Sequence, residues 1–266
     1  MATLYRKQHG SGMVEVVEDG EHRTLSFDSH LVQSRLSLAD PLALVLNYTR
    51  CMMAGLLFGE AKGRDTPLRV LMIGLGGGSM AKFLLRHFPA CHLDVVEQDP
   101  AIPPLAREYF HLPDSDRMTL FLEDGASFLE RRAACAYDLI LVDAYDREGM
   151  SRSVYAMRFF AGLEERLTLR GVVAVNFVRG DANLFRRCTE FLLERFAGRV
   201  LSLPVPGTSN EIGFAGPGVE AWEDRQEIDA RAWELEDWLG LDFVMFVREM
   251  RLMELPSGPW RWLGLR

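Results

Sequence analysis

Cysteine is scarce and unpaired in this chain: Cys51, Cys91, Cys135 and Cys188 form no C-x-x-C pair. Neither a zinc knuckle nor a disulfide framework is indicated, and a reduced, cytoplasmic setting fits. The six histidines, His9, His22, His30, His87, His92 and His111, show no ligand spacing, which argues against a metal site. Basic excess is missing as well. Thirty Lys and Arg stand against 38 Asp and Glu, a net charge of −8 with a pI near 5.4. That balance excludes a nucleic-acid backbone or an anionic membrane as main partner, because there is no surplus cation to displace counterions. No stretch reaches the roughly 18 apolar residues of a membrane span. The richest, residues 42–58, is broken by Asn47, Thr49 and Arg50 and reads as a buried helix. The first ten residues are polar and lack the apolar run of a signal peptide. Internal repeats and low-complexity tracts are absent.

What the chain does have is ordinary globular composition, 48% hydrophobic and 26% charged over 266 residues, enough for a sizeable core. Three regions follow. Residues 1–60 carry β-prone runs at 13–18 and 23–27 around Asp19-Gly20, which is hairpin chemistry. A helix is expected from Asp40-Pro41, read as N-cap and first helical residue, to about Phe58. From residue 67 to 217, apolar runs at 69–73, 92–97, 118–122, 139–143 and 172–177 alternate with helical segments. Parallel strands must be joined across a face, so this pattern predicts a doubly wound, mostly parallel α/β sheet. Runs at 200–203 and 211–215 add two late strands separated by a turn, for seven in all. Residues 218–266 read as a helical extension, with a helix over about 223–239 and a tail containing Trp260 and Trp262.

The chemistry concentrates at predicted strand ends. Gly74-Leu75-Gly76-Gly77-Gly78-Ser79 follows a strand and opens a helix over about 80–88, where backbone N–H groups can approach a ligand. Three consecutive glycines cost more chain entropy than a bare turn requires, which favours binding by Gly74, Gly76, Gly78 and Ser79. Glu97 ends the next strand, at the spacing where a carboxylate can accept both hydroxyls of a ribose. Asp124-Gly125 ends the third; the Asp can accept an adenine amine and the Gly lets the chain turn away. The fourth delivers Asp143-Ala144-Tyr145-Asp146 to the same edge, a cluster able to hold and deprotonate an amine. Asp146 has a second reading beside that one, as the cap of a following helix.

In this order the motifs resemble those of the polyamine aminopropyltransferases, spermidine synthase and its relatives. The resemblance rests on Val70 to Gly78, Val95-Val96-Glu97-Gln98-Asp99, Glu123-Asp124-Gly125 and Tyr137 to Asp146. Phe27-Asp28, Gln33 and Tyr48 match the family's N-terminal pattern more loosely. The likeness implies a seven-stranded Rossmann-like methyltransferase fold behind a small β-hairpin domain, and a homodimer. It implies Glu97 on the ribose, Asp124 on adenine, Asp143 as the base toward the attacking amine and Asp146 as its acidic neighbour. Gln33, Tyr48 and Tyr145 fall to the acceptor, with Tyr155 beside them. Decarboxylated S-adenosylmethionine would be the aminopropyl donor, a co-substrate rather than a resident cofactor, and a small amine the acceptor.

The chain departs from the family at two places. Ser79 stands where the family has an aspartate that would attract the bare ammonium of the decarboxylated donor. Around Tyr48, the usual acidic or His/Gln companions are replaced by Asn47, Thr49 and Arg50. Methyl transfer from ordinary S-adenosylmethionine to an unknown acceptor therefore stays open. So does a catalytically silent nucleoside-binding protein, and Gly76-x-Gly78-x-x-Ala81 also permits a dinucleotide.

Overall fold

The computed structural model describes residues 1–9, 12–28, 31–59, 63–131, 136–146, 149–150, 154, 156–180 and 182–253. For residues 31, 146, 149 and 150 it describes the backbone alone. Tyr155, Cys135, His30, Trp260 and Trp262 lie outside the described residues.

The amino-terminal unit is larger than the expected hairpin. The strands β1 (Ala2–His9), β2 (Gly12–Glu18), β3 (His22–Phe27) and β4 (Leu31–Ser37) form an antiparallel sheet in that order. The turn at Asp19 forms as expected, its carboxylate accepting the Glu21 and His22 N–H groups at 2.9 and 2.7 Å. β1 gave no sequence signal because it is an edge strand, exposed along most of its length and polar to match.

The helix expected from Pro41 starts later. Asp40 accepts the Leu42 N–H on its side chain and the Ala43 N–H on its carbonyl, closing a local turn. Helix α1 then runs Asn47–Met52, and a 3₁₀ segment continues through Met53–Leu57. That segment is wholly buried against the main sheet; a Cβ on Gly55 would stand 2.8 Å from the Leu139 side chain. Tight docking of backbone on sheet thus replaces the single helix.

The main sheet is built from β5 (Leu68–Ile73), β6 (Cys91–Glu97), β7 (Met118–Leu122), β8 (Tyr137–Val142) and β11 (Leu167–Val178), with β12 (Val200–Pro204) and β13 (Asn210–Ala215). Between β8 and β11 lies a two-stranded ribbon, β9 (Tyr145–Asp146) and β10 (Gly149–Met150). The sheet order is β14-β12-β13-β11-β8-β5-β6-β7, parallel from β11 to β7 and antiparallel beyond. β14 (Arg251–Leu252) is an eighth strand, added to the expected seven by pairing Leu252 with Leu201.

Helices α2 (Ser79–His87), α3 (Ile102–Phe110), α4 (Gly125–Arg131), α5 (Met157–Glu164) and α6 (Ala182–Arg195) cover the sheet. The period-2 alternation of the strands sorts the core into two layers. Val70 and Met72 face α2 and α3, while Leu71 and Ile73 face α4 and α5. Burial on both faces is why these strands read as unbroken apolar runs. Each such side chain contributes roughly 1.5–3 kcal/mol of transfer free energy. Helix α7 (Arg225–Leu239), capped by Asp224 at one end and Gly240 at the other, and α8 (Phe243–Glu249) pack into the first layer.

Candidate active site

Strand order turns back between β5 and β8: the chain runs from β5 outward through β6 to β7, then returns to β5's other side. In an open α/β sheet a crevice forms at the carboxyl ends of the strands at such a point. A cavity of about 290 Å³ occupies it here.

The glycine turn forms its floor. The Gly74 N–H donates to the Val96 carbonyl and the Asp143 N–H to the Ile73 carbonyl, both at 2.8 Å, so the turn is laced to both neighbouring strands. Gly74 has φ 99°, and a Cβ there would collide with the Asp143 carbonyl, so only glycine brings the two loops this close. Gly76 lines the cavity. Gly78 does not; it is the left-handed N-cap of α2, and its N–H donates to the Leu75 carbonyl at 2.9 Å. Ser79 is also outside the wall: its hydroxyl lies 3.3 Å from that of Ser34 on β4.

Glu97 is 8% exposed. One carboxylate oxygen accepts the Leu75 N–H at 3.0 Å and the other the Asp99 N–H at 2.8 Å. Burial pushes its pKa up, and these backbone donors pull against that. Asp124 combines both readings of an Asp-Gly pair: it lines the cavity and accepts the N–H and hydroxyl of Ser127, capping α4. Gly125 is fixed by packing, since a Cβ would stand 2.6 Å from Ile73.

Asp143 follows β8 directly and accepts the side-chain N–H of Asn176 on Oδ1 at 2.9 Å. A second side-chain hydrogen bond joins it to Tyr48. Desolvation raises its pKa above the ordinary aspartate value despite both bonds. Tyr48 lies outside the cavity wall, with its hydroxyl 3.3 Å from the Gln33 carbonyl; burial, then the Asp143 charge, drives its own pKa well up. Gln33 and Tyr145 line the cavity, and the Tyr145 hydroxyl donates to the Asn176 carbonyl at 2.8 Å. Asp146 has its backbone in β9, paired with Gly149, so the capping reading gives way to a strand; its side chain lies outside the described residues.

The substituted companions of Tyr48 are all engaged elsewhere. Arg50 pairs with Asp242 at 2.5 Å, Asn47 donates to the Pro206 carbonyl, and Thr49 bonds within its own turn. None lines the cavity, so Arg50 does not confront a cationic ligand there. Among the described residues, every charged residue of the wall is acidic: Glu97, Asp99, Glu123, Asp124 and Asp143.

Sequence reasoning missed Asn176 and Asn210. Asn176 is 3% exposed, and its Oδ1 accepts the Asn210 side-chain N–H at 2.9 Å. The available signal was one amide inside Val172-Val173-Ala174-Val175-Asn176-Phe177, since a polar group in a buried strand must have a partner. Leu25 and Phe27 of β3 also line the cavity, closing it from the amino-terminal sheet.

No metal-binding cluster of His, Cys, Asp or Glu occurs among the described residues. Cys51, Cys91 and Cys188 are buried, their thiols pushed up to about 12 by desolvation, and do not serve as nucleophiles. No described helix is long and apolar enough to cross a membrane.

Sheet and crevice place the molecule among the α/β transferases with a methyltransferase-like fold. Residues 50–185 match the model of the spermine/spermidine synthase domain. A polyamine aminopropyltransferase of Chromobacterium violaceum is 34% identical over 242 residues, 90% of this chain and 89% of that protein. The chain belongs to the spermine/spermidine synthase family. Among solved structures, a probable spermidine synthase from Corynebacterium glutamicum superposes with TM-score 0.71 at 21% identity, over 88% of this chain and 86% of that one. Human methyltransferase-like protein 13, in complex with SAH, superposes with TM-score 0.67 at 29% identity, over 73% and 92%.

Proposed function

We propose that this chain transfers an aminopropyl group from decarboxylated S-adenosylmethionine to a small amine. The observation that carries the reading is the crevice itself, where a partly buried aspartate, Asp143, stands among described charged neighbours that are all acidic. Such a wall suits a donor with a sulfonium and a free ammonium and an acceptor that is itself an amine. It disfavours a ligand carboxylate, for which its described residues offer no counter-charge. Glu97 takes the ribose and Asp124 the adenine; Gly74 and Gly76 let the nucleoside approach the backbone.

The amine arrives as an ammonium and gives a proton to Asp143. Its lone pair then attacks the methylene carbon next to the sulfonium. The new C–N bond forms as the C–S bond breaks, and the bonding pair leaves on sulfur, giving a neutral thioether nucleoside. A raised Asp143 pKa brings the base closer to neutral pH, where proton transfer is more favourable. Resemblance to the family supports a cytoplasmic homodimer with no resident cofactor, and the acidic composition supports the absence of a nucleic-acid partner.

Ser79 favours a second reading, methyl transfer from ordinary S-adenosylmethionine, because no acid stands at the head of α2 to select against the donor carboxylate. Calorimetric titration with both donors and with NAD, followed by product analysis with candidate diamines, tests the assignment. Tighter binding of the decarboxylated donor and amine-dependent release of methylthioadenosine are expected. Preference for the carboxylated donor, with no aminopropylated product, would reject it.

A further inference from the structure

Resting on that reading, we infer that Asn176 and Asn210 form a directional amide relay that fixes which oxygen of Asp143 receives the proton. The two residues come from adjacent antiparallel strands, β11 and β13, and meet above the sheet edge. Asn210 donates from Nδ2 to Asn176 Oδ1 at 2.9 Å, and Asn176 donates from Nδ2 to Asp143 Oδ1 at 2.9 Å. An ionised carboxylate can only accept, so Asn176 must show it the N–H end. The Asn176 oxygen then faces away and requires a donor, which Asn210 supplies. Asn210 is anchored in turn, its backbone N–H reaching the Thr208 hydroxyl at 3.1 Å and its carbonyl accepting from Val205 at 3.0 Å.

Two consequences follow. Asp143 Oδ1 faces a fixed N–H donor and cannot itself carry a proton toward it, so the proton taken from the amine goes to Oδ2. The Tyr48 bond does not oppose this, because a phenol can turn from donor to acceptor whereas an amide nitrogen cannot. The relay also favours the ionised base against the groups that disfavour it. Those are Glu97, Asp99 and Asp124 in the cavity wall; Glu123 is paired with Arg131, and the Tyr48 hydrogen bond favours the ionised base as the relay does. Glu211, next to Asn210, is paired with Arg179 and adds no net charge. Asn176 and Asn210 are positioning residues, acting on the amine only through Asp143.

The test is the pH profile of kcat/KM for Asn210→Ala and Asn176→Ala, alongside Asp143→Asn and with methylthioadenosine affinity as control. Asn210 lies at a strand end, so its variant is the one expected to fold without compensation. The acid limb should move up by about one pH unit in Asn176→Ala and by less in Asn210→Ala, the direction expected when a carboxylate loses a hydrogen bond to its charged form. Nucleoside affinity should not change. The Asp143 carboxyl carbon, followed by NMR titration of wild type and Asn210→Ala, should show the same upward shift without any turnover. An unmoved limb and an unmoved carboxyl titration would leave the pair merely structural and overturn the relay while sparing the aminopropyl reading. Near-normal turnover in Asp143→Asn would overturn both.

Discussion

The carboxylate of Glu97 accepts the N–H of Leu75 at 3.0 Å, tying the end of β6 to the middle of the glycine turn. Glu97 therefore shapes the loop as well as facing the cavity. Glu97→Ala should weaken methylthioadenosine binding by the roughly 1.5–3 kcal/mol of a charged hydrogen bond. It should also lower stability by about 1–3 kcal/mol, since a buried Leu75 N–H loses its acceptor. Calorimetry and denaturant melts separate the two; unchanged affinity would remove Glu97 from the ribose.

Gly74 meets Asp143 by backbone contact, and that contact leaves no room for a side chain. Gly74→Ala combines a positive φ with a collision against main chain, so it should destabilise by more than the roughly 1 kcal/mol that Ala gains by limiting the unfolded chain. Because the displaced atoms belong to Asp143, turnover should fall even at temperatures where the variant is folded. Full activity in a folded variant would show that the register of the two loops is not needed.

For Asp143→Asn, shape and hydrogen-bonding capacity persist but the proton acceptor is gone. Turnover should drop by roughly 10²–10⁴ with nucleoside affinity little altered. In the wild type the ionised base is the active form. Desolvation raises its pKa, so kcat/KM should fall with decreasing pH at a limb lying above the ordinary aspartate range. A limb at or below that range would mean that another group is being titrated.

Lys82, on α2, is a buried cation whose ammonium donates to the carbonyls of Pro41 and Phe110 at 2.9 and 2.6 Å. Desolvation pulls its pKa from 10.5 down to about 8. Between those values the unfolded chain holds a proton that the folded one has released, so stability climbs with pH there. Lys82→Met should flatten the climb. Urea denaturation at several pH values from 8 to 10.5 reads it out, and parallel curves for wild type and variant would show that Lys82 keeps its proton.

Ser79 opens α2 beside the Ser34 hydroxyl. Ser79→Asp should shift donor preference further toward the decarboxylated form, and an acid in the first turn of a helix is tolerated there. An unchanged ratio of donor affinities would place discrimination wholly in the cavity wall.

The parallel sheet was legible in the chain because burial on both faces forces strands such as Val70 to Ile73 to be apolar throughout, with polar or glycine residues only at their ends. Those ends, Gly74, Glu97, Asp124 and Asp143, could be placed on one sheet edge from the alternation alone, since parallel strands all finish on the same side. Sequence did not carry β1, whose exposed edge needs no hydrophobic pattern, or the late start of α1, since Asp40 closes a local turn with Leu42 and Ala43 instead of capping a helix. Nor could it join Asp143, Asn176 and Asn210, which lie far apart in the chain and meet only because β11 is flanked by β8 and β13. Side-chain periodicity is a local property that the chain itself determines. Which amide turns its N–H toward which carboxylate is a non-local one, decided only when three separate elements have packed.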